Sequence, residues 1–79
     1  MKNLHKDAKS QAAAYIKKQG FVPMELHWSS NDSSKLFVEF YKNDEKTDEQ
    51  IKALQADLNR GFATIGLTVE CRRHFFLNK

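Results

Sequence analysis

The sequence predicts a small α+β domain of order α-β-β-α-β, two layers deep, with two helices packed on one face of a three-stranded sheet. Three observations carry this. Apolar residues recur at spacings of three and four in two segments, they alternate in period two in three others, and a polar run of turn formers separates the first two alternating segments.

The first helix is predicted from about Asn3 to Gln19, where Leu4, Ala8, Ala12, Tyr15 and Ile16 share one face. Gly20 follows as its stop. PMELHW and KLFVEFY alternate and carry strand-forming residues, and SSNDSS between them supplies a six-residue hairpin loop. The second helix opens on Thr47-Asp48-Glu49-Gln50, a capping box in which the Thr hydroxyl and the Gln amide satisfy orphan backbone N–H groups. Ile51, Leu54, Leu58 and Phe62 line its buried side, and Gly61 reads as its end. From Thr64 to about Phe76 the alternation resumes and predicts a third strand. The two helix exits, KKQGFVPMEL and LNRGFATIGL, look alike, and the economical account is one Schellman-type exit used twice rather than an internal duplication.

The second helix returns the chain, so strand three is expected to run parallel to strand two through a right-handed crossover. With strand one in the middle the sheet would be antiparallel, and with strand two in the middle it would be mixed. Pro23 lacks an N–H donor and favours strand one at an edge.

Seventy-nine residues, 41% hydrophobic and 29% charged, make a single domain over residues 1–79. A domain this small buries only about 60% of the surface its unfolded chain exposes, which argues against a deep cleft. Thirteen Lys and Arg against ten Asp and Glu leave a net charge of +3, short of the clustered charge of a dedicated DNA binder. Cys71 is the only cysteine, so no intrachain disulfide is expected, and the chain reads as reduced and cytoplasmic. No segment resembles a signal peptide or reaches the roughly 20 apolar residues of a membrane span. Leu77-Asn78-Lys79 belongs to the class of chain ends that often fray.

With both helices on one face, the alternation sorts the strand residues. Met24, Leu26, Trp28, Leu36, Val38, Phe40, Ile65, Leu67, Val69 and Cys71 are expected inward, with Phe75 capping the end of the core. Glu25, His27, Phe37, Glu39, Tyr41, Thr68, Glu70, Arg72, His74 and Phe76 are expected outward. Within that open face Phe37, Tyr41, Arg72, His74 and Phe76 form the candidate partner-binding set, because clustered exposed aromatics and arginine are the residues enriched in recognition surfaces.

Catalytic chemistry finds no footing. Cys71 and His74 lie three apart on a strand and face opposite ways, so they cannot share a proton. His27 and His74, with Glu25, Glu39 or Glu70, lack a close-spaced ligand motif, and neither metal nor cofactor is predicted. Asp44, Glu45, Asp48 and Glu49 lie where a helix N-terminus favours negative charge. On the first helix Lys2, Lys6, Lys9 and Lys17 fall within a sector of about 80°. Together with Arg73 they are the candidate nucleic-acid contacts.

The expected function is that of a non-enzymatic protein-binding module, a regulator or inhibitor that occludes a larger protein through its open sheet face or a strand edge. A homodimer buried on the same surface would read identically. The alternative is single-stranded nucleic-acid binding, with bases stacked on Phe37, Tyr41 and Phe76 and phosphates on Arg72, Arg73 and the lysines. Glu25, Glu39 and Glu70 on the same face oppose it, and the aromatic signature of sheet-face RNA binders is missing.

Overall fold

A computed structural model of the protein describes residues 4–79, with side chains described from Asp7 onward. Helix α1 covers Leu4–Lys18, strand β1 Glu25–Trp28, strand β2 Lys35–Phe40, helix α2 Asp48–Phe62 and strand β3 Thr68–Arg73, with a 3₁₀ turn at Ala63–Ile65 before β3. The strand order is β1-β2-β3, with β1 antiparallel and β3 parallel to β2. The sheet is therefore mixed, and Pro23 leads into an edge strand.

Strand β2 holds the middle because its inward side chains are the most thoroughly buried: Leu36, Val38 and Phe40 are at most 2% exposed. Ala12 and Ile16 of α1 and Ile51, Leu54 and Leu58 of α2 close over them together with Val69 and Cys71 of β3. Phe21, Leu26, Trp28 and Phe62 pack around this core. Both helices thus cover one face, and the other carries the polar alternation of the strands.

Helix α2 begins as expected. The Gln50 N–H donates to Thr47 Oγ1 at 3.1 Å, and the Thr47 N–H donates to Gln50 Oε1 at 2.8 Å. Its end differs from the sequence reading. Gly61 lies inside the helix, which runs on through Phe62 and the 3₁₀ turn to Gly66, at φ 74°. The Gly66 N–H bonds the Ala63 carbonyl and the Leu67 N–H bonds the Phe62 carbonyl. At α1 the Gly20 N–H bonds Lys17 and the Phe21 N–H bonds Ile16, with Gly20 at φ 87°. The Schellman exit is used twice, but five residues later after α2 than the Gly-Phe resemblance suggests. The delay moves the start of β3 to Thr68 and leaves Ile65, expected inward, 54% exposed, and at the other end β3 stops at Arg73 rather than about Phe76, where the turn around His74 begins.

The far edge of β3 is closed at Val69 and Cys71. The N–H groups of Thr68 and His74 bond Ser34 and Phe40 on the β2 side, so the odd-numbered N–H groups point away from the sheet. Asn59 of α2 accepts from the Val69 N–H at 2.7 Å and donates to its carbonyl at 2.9 Å, and Gln55 accepts from the Cys71 N–H at 2.9 Å. These two amides stand in for a fourth strand.

Beyond β3 the chain stays tied to the loop after β2. The Lys42 N–H donates to the Leu77 carbonyl at 2.7 Å, and the Lys79 N–H donates to Asn43 Oδ1 at 2.7 Å. The last residues are therefore anchored rather than frayed. Phe75 does not cap the core: it is 82% exposed.

Candidate functional site

The open face is built by alternation. Lys35, Phe37 and Glu39 of β2 face Glu25 and His27 of β1 on one side and Glu70 and Arg72 of β3 on the other. Cross-strand pairing sets Glu25 opposite Glu39, His27 opposite Phe37, Phe37 opposite Glu70 and Glu39 opposite Arg72. Neighbours at this spacing interact directly.

Glu39 is the hub. It is only 8% exposed although it belongs to the open face, because it lies in the central strand between two longer side chains. His27 Nε2 lies 2.5 Å and the Arg72 guanidinium 3.6 Å from Glu39 Oε2. Burial pushes the Glu39 pKa up, but the His27 hydrogen bond and the positive charges of Arg72, His27 and His74 outweigh it and hold the carboxyl below its ordinary value. Arg72 also reaches Glu70 at 3.9 Å, and Lys35 pairs with Glu70 at 2.9 Å.

Phe37 is enclosed by this network. Arg72 lies 4.1 Å and Lys35 Nζ 5.1 Å from its ring centre, and the His27 ring is tilted against it at 5.4 Å. Such contacts are the geometry of cation–π attraction. The ring is a platform already taken by the protein's own cations.

At the C-terminal end of β3 the surface turns apolar. His74 Nδ1 accepts from the N–H groups of Phe76 and Leu77 at 3.1 and 3.2 Å, which places the ring proton of neutral His74 on Nε2. The turn displays Phe75, Phe76 and Leu77 at 82%, 79% and 49% exposure. Phe76 packs on Phe75 at 5.7 Å and edge-on to His74 at 6.0 Å. Glu39, Arg72, His74 and the two phenylalanines line a recess of about 310 Å³. No family model, curated protein or solved structure matches this chain.

Four of the five candidate partner-binding residues, Phe37, Arg72, His74 and Phe76, therefore lie along one continuous strip. Tyr41 does not join them. It follows the end of β2, half-buried, and lines a separate recess with Val22, Glu45, Lys46 and Lys79.

Among the candidate nucleic-acid contacts, Lys2 and the side chain of Lys6 lie outside the described residues. Lys9 and Lys17 flank a groove between α1 and the start of β1, beside Pro23, Met24 and Leu26. Arg73 is committed elsewhere. Its Nε donates to Asp48 Oδ1 at 2.7 Å, NH1 donates to the Asp44 carbonyl at 3.0 Å, and NH2 donates to the Lys46 carbonyl. It clamps β3 to the loop that launches α2.

Outside the strip, Cys71 is insulated and the Tyr15, Asp57 and Arg60 side chains satisfy one another. Burial pushes the Cys71 thiol up to about 12, so it behaves as a core hydrophobe. Between the helices Tyr15 donates to Asp57 at 3.5 Å, and the other Asp57 oxygen takes Arg60. Glu25, His27 and Glu39 bring three potential metal-donor atoms within 4.8 Å of one another. His74, weighed with His27 in the sequence, is not part of that group. The central position of Glu39 was hidden from the sequence, where it is one of three alternating glutamates; only the register shows that it lies between His27 and Arg72.

Proposed function

We propose that the protein is a non-enzymatic binding module of the cytoplasm, a regulator or inhibitor that occludes a larger protein partner through the C-terminal end of its open sheet face. The observation that carries this reading is the Phe75-Phe76-Leu77 display. Three successive apolar side chains are held out to solvent by a turn that His74, Lys42 and Asn43 fix in place. Large aromatics presented on a pre-organised backbone lose little conformational entropy on binding, and aromatics with a flanking arginine are the usual energetic centre of an interface. Arg72 and His74 supply the polar rim.

The enclosure of Phe37 and the commitment of Arg73 weigh against the nucleic-acid alternative, since stacking needs a free ring face and phosphate binding a free guanidinium. Amide closure of the β3 edge favours the face over that edge as the docking surface. Among the described residues no helix is long and apolar enough to cross a membrane.

The test is affinity capture with the full chain beside a Phe75→Ala, Phe76→Ala double variant, with and without nuclease. A protein retained after nuclease and lost with the variant supports the reading. Capture unchanged by the variant, or recovery of nucleic acid alone, overturns it. Because neither ring belongs to the core, the variant keeps its fold, and sedimentation of the two forms reveals a homodimer if the patch serves a second copy.

A further inference from the structure

The geometry points to a divalent transition-metal site at Glu25, His27 and Glu39, of the kind zinc occupies. It shares Glu39 with the recess described above, but it opens toward β1 and uses neither Phe75 nor Phe76, so its test is separate from that of the partner reading.

The donor set comes from the register. Glu25 and Glu39 are directly opposite on β1 and β2, and His27, two residues along β1, projects to the same face. One atom from each can be chosen so that all lie within 4.8 Å of one another. An imidazole nitrogen with two carboxylate oxygens is a set that zinc accepts, and the imidazole selects against calcium and magnesium, which take oxygen alone.

The charge balance gives the second observation. Like charges directly opposite on neighbouring strands destabilise a sheet. Glu39 is compensated by Arg72 and His27, and Glu70 by Lys35 and Arg72. Among the described residues the Glu25 side chain makes no hydrogen bond or ion pair, while its backbone pairs with β2 opposite Glu39. A cation between Glu25 and Glu39 is shared by both carboxylates.

Two of the three donors are already oriented. Arg72 holds the Glu39 carboxylate, and the Phe37 ring supports the His27 imidazole from 5.4 Å. Neighbours of this kind fix ligand geometry in metal sites. His27 Nε2 and Glu39 Oε2 are 2.5 Å apart, whereas donors around tetrahedral zinc lie about 3.3 Å apart. A parting of less than about 1 Å admits the ion in place of the hydrogen bond, and the exposed Glu25 supplies the third donor. His27 is 37% exposed at its side chain, so the fourth position opens to water. The positive charge of Arg72 opposes the ion and sets a moderate affinity.

Titration of the full chain with Zn²⁺ in a calorimeter tests the site. One saturable site is expected, weakened at least about tenfold by Glu25→Gln and by His27→Ala, and unchanged by His74→Ala. Lack of saturable binding overturns the assignment, as does either ligand variant binding as tightly as the natural sequence, or loss of binding with His74→Ala. Glu25→Gln is nearly isosteric at an exposed residue, so the test stands even if His27→Ala does not fold.

Discussion

Arg72 lies over the Phe37 ring at 4.1 Å and directs its guanidinium to Glu39, 3.6 Å away, joining β3 to β2 across the open face. One side chain thereby covers an aromatic that would otherwise be exposed and compensates a carboxylate that is 8% exposed. The face is a network of its own residues through most of its area, and it presents free apolar surface only where the network ends, beyond Arg73.

Glu39 should make stability depend on acid pH. Its carboxyl is held below the ordinary value of 4.5, so the folded chain binds fewer protons there than the unfolded chain. The stabilisation is complete above the unfolded value and is lost as pH falls through the lower folded one. Glu25, Glu70, Lys35, His27, His74 and Arg72 share this face with it. Thermal melts from about pH 5 to about pH 3 should fall more steeply for the natural sequence than for Glu39→Gln. At neutral pH that variant should be less stable by about 1–3 kcal/mol, because His27 and Arg72 lose a charged acceptor. Parallel pH profiles for the two proteins would refute the role given to Glu39.

Gly61 of α2 and Gly66, which caps the 3₁₀ turn after it, should respond oppositely to one substitution. Gly66 is at φ 74°, where an added Cβ is strained, and Gly66→Ala should cost about 1–2 kcal/mol. Gly61 lies inside the helix, with nothing within 4 Å of a Cβ built on it, and Gly61→Ala should stabilise by about 0.5–1 kcal/mol. Urea unfolding of both variants checks this. Destabilisation by Gly61→Ala would mean that the helix does end there.

That pair also shows where the sequence was legible. The element order, the six-residue loop, the capping box and the buried side of α2 follow from periodicity and turn chemistry, which act over a few residues; on α1 Ala8, Ala12 and Ile16 are buried as expected, but Tyr15 of the same face is 36% exposed and the Leu4 side chain lies outside the described residues. The exit of α2 does not, because Gly61-Phe62 and Gly66-Leu67 both satisfy the local rule and only the packing of Phe62 beside the core decides between them. Strand order depends on which strand buries both neighbours' edges, a tertiary property. For the candidate site, alternation correctly put Phe37 and Arg72 on the outer side, whereas His74 and Phe76, expected there as strand residues, lie in the turn beyond β3. It gave no warning that Phe75 would follow Phe76 into solvent, because alternation stops at Arg73 where the turn around His74 begins. The closure of the β3 edge was equally invisible, since nothing local marks Asn59 and Gln55 as partners of a strand.

The edge closure leads to the last prediction. Asn59 satisfies both the N–H and the carbonyl of Val69, and Gln55 the N–H of Cys71. Removing one partner of a buried hydrogen bond costs about 1–3 kcal/mol, so Asn59→Ala should destabilise by about 2 kcal/mol or more. The more telling effect concerns assembly. With Asn59→Ala and Gln55→Ala together, β3 presents unpaired main-chain groups on a strand of alternating apolar and charged residues, which is a template for pairing with another chain. Sedimentation velocity should then show association that grows with concentration in the double variant, more than in the natural sequence. A longer amide at the same place, Asn59→Gln with Gln55 intact, should recover little of what Asn59→Ala loses, because the longer side chain cannot make both bonds to Val69 in the same geometry. If the double variant is destabilised but sediments as the natural protein does, the two amides hold α2 on the sheet without guarding its edge.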